Sequence, residues 1–152
     1  MRGGEGTVGA RLVAFAHDCR RRGLALTIQR RAVYQELARR PDHPTADQVY
    51  EALHRRLPGL SRATVYRGLE TLVRQGFARK VHHTGAVARF DPVTERHHHL
   101  VCDECGHLVD LDDAAVPDIP LPARAGGFRI RDYSVSFTGL CPACARSATH
   151  EN

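Results

Sequence analysis

Apolar residues recur at helical intervals over the first half of the chain and at alternate positions over much of the second. Leu12, Val13, Phe15 and Ala16 give residues 10–22 an apolar face, and Gly23 terminates it. The Gly-rich residues 1–9 ahead of it are expected to fray. Ile28, Ala32, Val33 and Leu37 predict a second helix over residues 28–40, stopped by Pro41. A third opens at Thr45, whose T-x-x-Q spacing to Gln48 is that of a capping box, and it should bury Val49, Leu53 and Leu57. Pro58-Gly59 turns the chain. Ser61 can cap a fourth helix, RATVYRGLETLVRQ, which Gly76 closes.

After Gly76 the period drops to two. FARKVHH and AVARFD, joined by Thr84-Gly85, predict a β-hairpin, so that three helices and a hairpin make a winged-helix pattern. Past Asp91-Pro92, strands are expected in HHHLVC, HLVDL and FRIRDYSVSF, the last bent near Asp132 where its alternation changes phase. Between these strands Pro117, Pro120 and Pro122 forbid a long helix. The expected fold class is α+β, with a winged-helix domain over residues 1–90 and a smaller module over 91–152. The second module is short for an independent core, so metal and dimerisation are its expected supports.

Charge sharpens this division. Residues 1–90 carry 17 Arg or Lys against 7 Asp or Glu, whereas residues 91–152 carry 5 against 10. The segregation directs the first half at a polyanion. An arginine-rich composition explains why 21 of 22 basic residues are Arg, but not why they segregate. No apolar run approaches the roughly 18 residues of a membrane span. The N-terminal MRGGEGTVGA lacks the apolar stretch of a secretory signal. The expected protein is soluble and cytoplasmic, with no membrane partner.

On a helical wheel the fourth helix puts Val65, Leu69, Leu72 and Val73 on one side and Ala63, Arg67, Thr71 and Arg74 opposite. Its first turns, with Arg62, Ala63, Thr64, Tyr66 and Arg67, are then available to a major groove. Arg67 can reach guanine or phosphate, and Tyr66 a thymine methyl or the backbone. The plainer alternative is a surface helix with solvated arginines, and the wing together with the charge bias argues against it. Arg79 and Lys80, with His82 and His83, would give the wing phosphate contacts, which add salt-dependent affinity without sequence information.

Five cysteines in a cytosolic chain argue against a disulfide framework. Cys19 reads as a small buried apolar residue. Cys102-x2-Cys105 and Cys141-x2-Cys144 are two thiol pairs at the spacing of a structural Zn²⁺ site, and the longer gap between them makes the metal a staple across the module. Thioredoxin-like redox chemistry is the alternative, but it lacks the βαβ pattern it needs. His43, Asp91, His97, His99 and Asp110 form a second set, nitrogen and oxygen donors suited to Fe²⁺ or Mn²⁺. Strand alternation puts His97 and His99 on one face and His98 on the other. From residue types alone, surface histidines remain the default for this set. Two histidines and a carboxylate also suit a non-haem iron oxygenase, an enzyme that would need a pocket this small module offers few strands to build. Zinc deaminases are excluded, since H-x-E and P-C-x-x-C are absent. A zinc-stapled protein-interaction module is a third class.

The run HPTADQVY, SRATVYRGLETL, GFARK, RFD, HHHLVCDECGHLVDL, GFRI and GLCPAC resembles the ferric uptake regulator family, in order, over roughly residues 20–146. The resemblance implies a winged-helix DNA-binding domain joined to a small α/β dimerisation domain with a structural zinc. It further implies a repressor that binds palindromic operator DNA as a homodimer, not an enzyme. Carried over position by position, it puts the regulatory metal on His43, Asp91, His97, His99 and Asp110, the structural Zn²⁺ on the four paired cysteines, and base reading on Tyr66 and Arg67. Asp at 91 and 110 makes the chain most similar to the peroxide-sensing branch, in which Fe²⁺-dependent oxidation falls on the positions of His43 and His97. An iron-uptake regulator responding to Fe²⁺ level is the alternative. Three departures stand out: Tyr133 replaces a histidine of a further metal site, which is therefore not predicted. Ala25 replaces a basic residue after the first helix, and the three prolines interrupt a customary helix.

Overall fold

The computed structural model describes residues 8–81, 87–111, 116–117 and 119–148. The predicted Thr84-Gly85 turn, with His82 and His83, lies outside the described residues. The chain divides into two compact units between Thr94 and Glu95, so Asp91 belongs to the first unit.

The first unit holds helices α1 (Val8–Arg21), α2 (Ile28–Arg39), α3 (Ala46–His54) and α4 (Arg62–Arg74), then strands β1 (Arg79–Val81) and β2 (Arg89–Asp91). Side-chain oxygens of Thr27, Thr45 and Ser61 cap α2, α3 and α4, and Thr45 with Gln48 completes the capping box. Gly23 and Gly76 end α1 and α4 at φ 64° and 71°, a left-handed turn that glycine adopts without a Cβ clash. β1 and β2 pair antiparallel, Arg79 opposite Asp91. The core consists of Phe15, Val33, Tyr34, Leu37, Val49, Leu53, Val65, Leu69, Leu72, Phe77 and Phe90, closed around Cys19. Phe15 stacks on Tyr34 and meets Phe77 edge-on.

Three expectations need correction here. Val8 and Gly9 already belong to α1, so the helix begins inside the stretch expected to fray. Val13 is 72% exposed and Ile28 76% exposed. The buried stripe of α1 runs instead through Val8, Leu12, Phe15 and Cys19, because the i, i+4, i+7 spacing from Val8 outweighs local hydrophobicity at 13. In α2, Tyr34 takes the core position that Ile28 was expected to share.

The second unit is thinner. β3 (His98–Cys102) lies between β4 (Leu108–Leu111), antiparallel, and β7 (Ser136–Gly139), parallel. β5 (Arg124–Ala125) and β6 (Phe128–Arg129) make a separate small ribbon, and α5 (Pro142–Ala148) follows β7. The strand expected over FRIRDYSVSF with a bend near Asp132 is instead two strands, β6 and β7, one on either side of Asp132, with Phe128 76% exposed. The described residues around Pro117, Pro120 and Pro122 carry no helix. Among the described residues, no helix is long and apolar enough to cross a membrane.

Candidate metal centres and recognition helix

Parallel pairing sets Cys102, the last residue of β3, opposite Gly139 at the end of β7, and Cys141 lies two residues further on. The Asp103–Cys105 turn folds back on this corner, its Asp103 N–H donating to the Gly139 carbonyl at 2.9 Å. Cys144 enters from the first turn of α5. All four thiols are free, and their sulfurs lie within 4.8 Å of one another, Cys105 and Cys141 at 3.8 Å. A tetrahedral zinc with Zn–S bonds of about 2.3 Å places its sulfurs about 3.8 Å apart. The Cys141 N–H donates to Cys102 Sγ at 3.3 Å and the Cys144 N–H to Cys141 Sγ at 3.5 Å. Backbone N–H groups, those of Cys105 and Cys141 foremost, hold the Cys102 thiol down to about 6. The adjoining sulfur of Cys141 pushes Cys144 up to about 12. Four crowded sulfurs, some held as thiolates and some keeping protons, fit a divalent cation that displaces those protons.

The second donor set falls into two groups, one in each unit. In the first unit, His43 ends a turn after α2, and its Nε2 lies 3.6 Å from Asp91 Oδ2. Both side chains are buried. Asp91 Oδ1 also accepts the Val93 N–H at 2.8 Å, which fixes its carboxylate. His43 has φ 48° and is the one non-glycine with positive φ among the described residues. Backbone strain of this kind gathers at functional positions.

In the second unit, antiparallel register puts Asp110 directly opposite His99. His97, just ahead of β3, shares the face of His99, their ring centroids 4.7 Å apart. Asp110 Oδ1 lies 3.4 Å from His97 Nε2 and 3.9 Å from His99 Nε2. His97 Nδ1 is 2.8 Å from the Glu95 carbonyl, which can only accept, so in the neutral ring Nδ1 carries the hydrogen and Nε2 the lone pair. That is the tautomer a metal ligand needs. His98 points the other way, stacked on Tyr133 and accepting the Val135 N–H at Nδ1, as alternation requires. Sequence reasoning passed over Glu95. A carbonyl two residues before a ligand histidine leaves no compositional trace.

The first turns of α4 present Arg62, Ala63, Tyr66 and Arg67 on the surface, with Thr64 half-buried and hydrogen-bonded to Ser61 at 2.9 Å. Val65, Leu69 and Leu72 hold the opposite face in the core. The Arg62 guanidinium lies over the Tyr50 ring and pairs with Asp47 and with Glu51, the latter at 2.7 Å. In the wing, Lys80 pairs with Glu70 of α4 at 2.6 Å, and Arg79 donates to the Thr94 carbonyl at 3.2 Å. Both residues tie the hairpin to its surroundings.

The model of the ferric uptake regulator family matches residues 21–138. The chain belongs to that family. It is 33% identical to the peroxide operon regulator of Bacillus subtilis (strain 168) over 129 residues, 84% of this chain and 89% of that protein. It is 30% identical to the peroxide-responsive repressor PerR of Staphylococcus epidermidis over 126 residues, 82% of this chain and 84% of that protein. Among solved structures, a zinc uptake regulator complexed with zinc and DNA superimposes with a TM-score of 0.68, covering 95% of this chain and 99% of that one at 23% identity. The α+β fold of the ferric uptake regulators is therefore this chain's fold. Members of the family are metal-responsive transcriptional regulators rather than enzymes, and the oxygenase alternative is set aside.

Proposed function

We propose that the chain is a metal-dependent repressor that binds a palindromic operator as a homodimer and releases it on exposure to peroxide. What carries this reading is the convergence of donors within each unit: His43 on Asp91 in one, His97 and His99 on Asp110 in the other. The residues fit Fe²⁺ or Mn²⁺ better than zinc, since three imidazoles and two carboxylates form a hard nitrogen–oxygen set. The thiol cluster fits a structural Zn²⁺. A cation taking ligands from both units would hold them in one orientation, and in a dimer that orientation sets the spacing of the two α4 helices. The spacing must match half-sites about one helical turn apart. Metal and operator then favour the same conformer, and each tightens the other by the same factor.

Residues 1–90 would be the DNA-binding domain, with Arg62, Ala63, Thr64, Tyr66 and Arg67 in the groove and Arg79 and Lys80 near phosphates. Residues 91–152 would be the dimerisation domain, and the exposed Leu100, Phe137 and Leu140 of its sheet region support that role. The repressor would act in the cytoplasm.

Peroxide sensing is supported by the similarity to peroxide regulators in Bacillus and Staphylococcus. Ferrous iron held by His43, Asp91, His97, His99 and Asp110 would supply the electrons for cleaving the O–O bond of peroxide. Overall one peroxide gives one water, and one ring C–H of His43 or His97 becomes C–OH. A ligand so altered loses its hold, and the operator is released. The test is operator binding with Fe²⁺ and with Mn²⁺, before and after peroxide, together with mass spectrometry of the Fe²⁺ form. Metal should raise operator affinity, and His43→Ala should abolish the gain. Peroxide should add the mass of one oxygen to a histidine peptide in the Fe²⁺ form alone. An unmodified His43 and His97 after DNA release would reject peroxide sensing, and a full metal response from His43→Ala would reject the shared cation.

A further inference from the structure

The turn that carries His43 is held in an unfavourable shape. A φ of 48° brings the Cβ of any L-residue too close to the carbonyl that follows. Pro44 comes next, and a proline pushes the residue before it toward extended backbone. The conformation therefore persists only if its surroundings enforce it.

Arg89 is the enforcing residue. Its Nη1 donates to the His43 carbonyl at 3.1 Å and reaches the Asp42 carbonyl at 3.4 Å. Its backbone bridges to Thr45, and the Phe90 N–H donates to the Pro44 carbonyl at 3.0 Å. Before the turn, Arg40 grips the Asp42 carboxylate through Nε at 2.9 Å and Nη2 at 2.5 Å. Strand alternation puts Arg89 on the side of β2 that carries Asp91, while Phe90 between them is buried in the core. One short strand thus supplies a carboxylate and clamps the backbone of the imidazole beside it.

We infer that Arg89 is a positioning residue for the regulatory metal: its guanidinium fixes the backbone of His43 so that the imidazole stands beside Asp91 before a cation arrives. The inference rests on the proposed role of His43 as a ligand. Without the guanidinium the turn relaxes toward ordinary φ, and part of the metal's binding free energy goes into re-ordering it. Both carbonyls are met by one nitrogen, Nη1, which a lysine ammonium on its shorter, unbranched stem replaces only in part.

The experiment is Mn²⁺ titration of the zinc-loaded full chain without DNA. It compares wild type, Arg89→Ala, Arg89→Lys, His43→Ala and the variant combining Arg89→Ala with His43→Ala. Arg89→Ala should weaken Mn²⁺ binding about 10- to 100-fold, the range for residues that orient a ligand. Arg89→Lys should recover part of that loss, with zinc content unchanged in both. The double variant should bind no more weakly than His43→Ala, because Arg89 acts through His43. Wild-type affinity in both Arg89 variants overturns the inference and leaves His43 a ligand. Additive losses in the double variant also overturn it, since Arg89 would then serve general stability. Wild-type affinity in His43→Ala overturns the ligand reading and this inference together. If Arg89→Ala does not fold, Arg89→Lys decides: weaker Mn²⁺ binding supports the clamp and undiminished binding overturns it.

Discussion

The two units solve the problem of holding a fold together in different ways. The first packs four helices around a continuous apolar core, with Leu37, Leu69 and Leu72 fully buried. In the second, the buried apolar side chains among the described residues are Val101, Cys102 and Leu108, and four sulfurs gather at the corner where β3 and β7 end. Burial of a large apolar side chain contributes about 1.5–3 kcal/mol, so so few of them cannot offset the ordering of a module this size. In the proposed function, a zinc held by the four thiols does in the second unit what hydrophobic packing does in the first.

Metal removal should break this comparison most strongly. Structural zinc in small modules contributes an apparent folding free energy of about 10–16 kcal/mol. Stripping the proposed zinc with a strong chelator, or Cys102→Ser, should unfold the second unit and dissociate the proposed dimer. Helical circular dichroism from α1–α4 should largely survive, and size-exclusion chromatography should report monomer. Loss of all helical signal on chelation would mean that the first unit does not stand on its own core.

The converse perturbation is smaller. Leu69→Ala opens a cavity in the helical core and should cost about 2–5 kcal/mol, read as a lower urea midpoint of the helical signal. Zinc content, measured by metal analysis, should stay at the wild-type level. A parallel loss of zinc would show that the two supports are not independent.

The same contrast explains what the sequence revealed. Helix positions and caps were readable because they depend on local chemistry: T-x-x-Q at Thr45 and glycines at 23 and 76 act within one turn of chain. The thiol pairs were readable from spacing, because two C-x-x-C turns need only one long-range contact to bring four sulfurs within 4.8 Å of one another. Val13 and Ile28 misled because hydrophobicity alone does not say which of two adjacent stripes meets the core. The bend expected near Asp132 in FRIRDYSVSF proved to be a full break, because β7 is chosen by parallel pairing with β3, a long-range event. The grip of Arg89 on the His43 carbonyl was invisible for the same reason. Its one trace is the alternation of Arg89 with Asp91, which takes meaning only once β2 lies beside the turn at 42–45.

The smallest effect lies on α4, the helix proposed to enter the groove. Arg62 was read as a DNA contact, yet its guanidinium is engaged by Asp47 and Glu51 and lies over Tyr50. These groups are about half exposed, at 53% and 55%, and pairs of that kind contribute less than about 1 kcal/mol after solvent screening. Phosphate, with a full charge and bidentate geometry, competes with such carboxylates on favourable terms. Glu51→Gln should therefore leave the unfolding midpoint nearly unchanged, raise operator affinity a few-fold, and steepen its dependence on salt as Arg62 gains a phosphate. Affinity that falls instead would give the carboxylates a different job, that of holding α3 and α4 at the angle the groove requires. Arg62 would then belong with the scaffold that holds α3 against α4, leaving Arg67, about one and a half turns further along, as the arginine that meets the DNA.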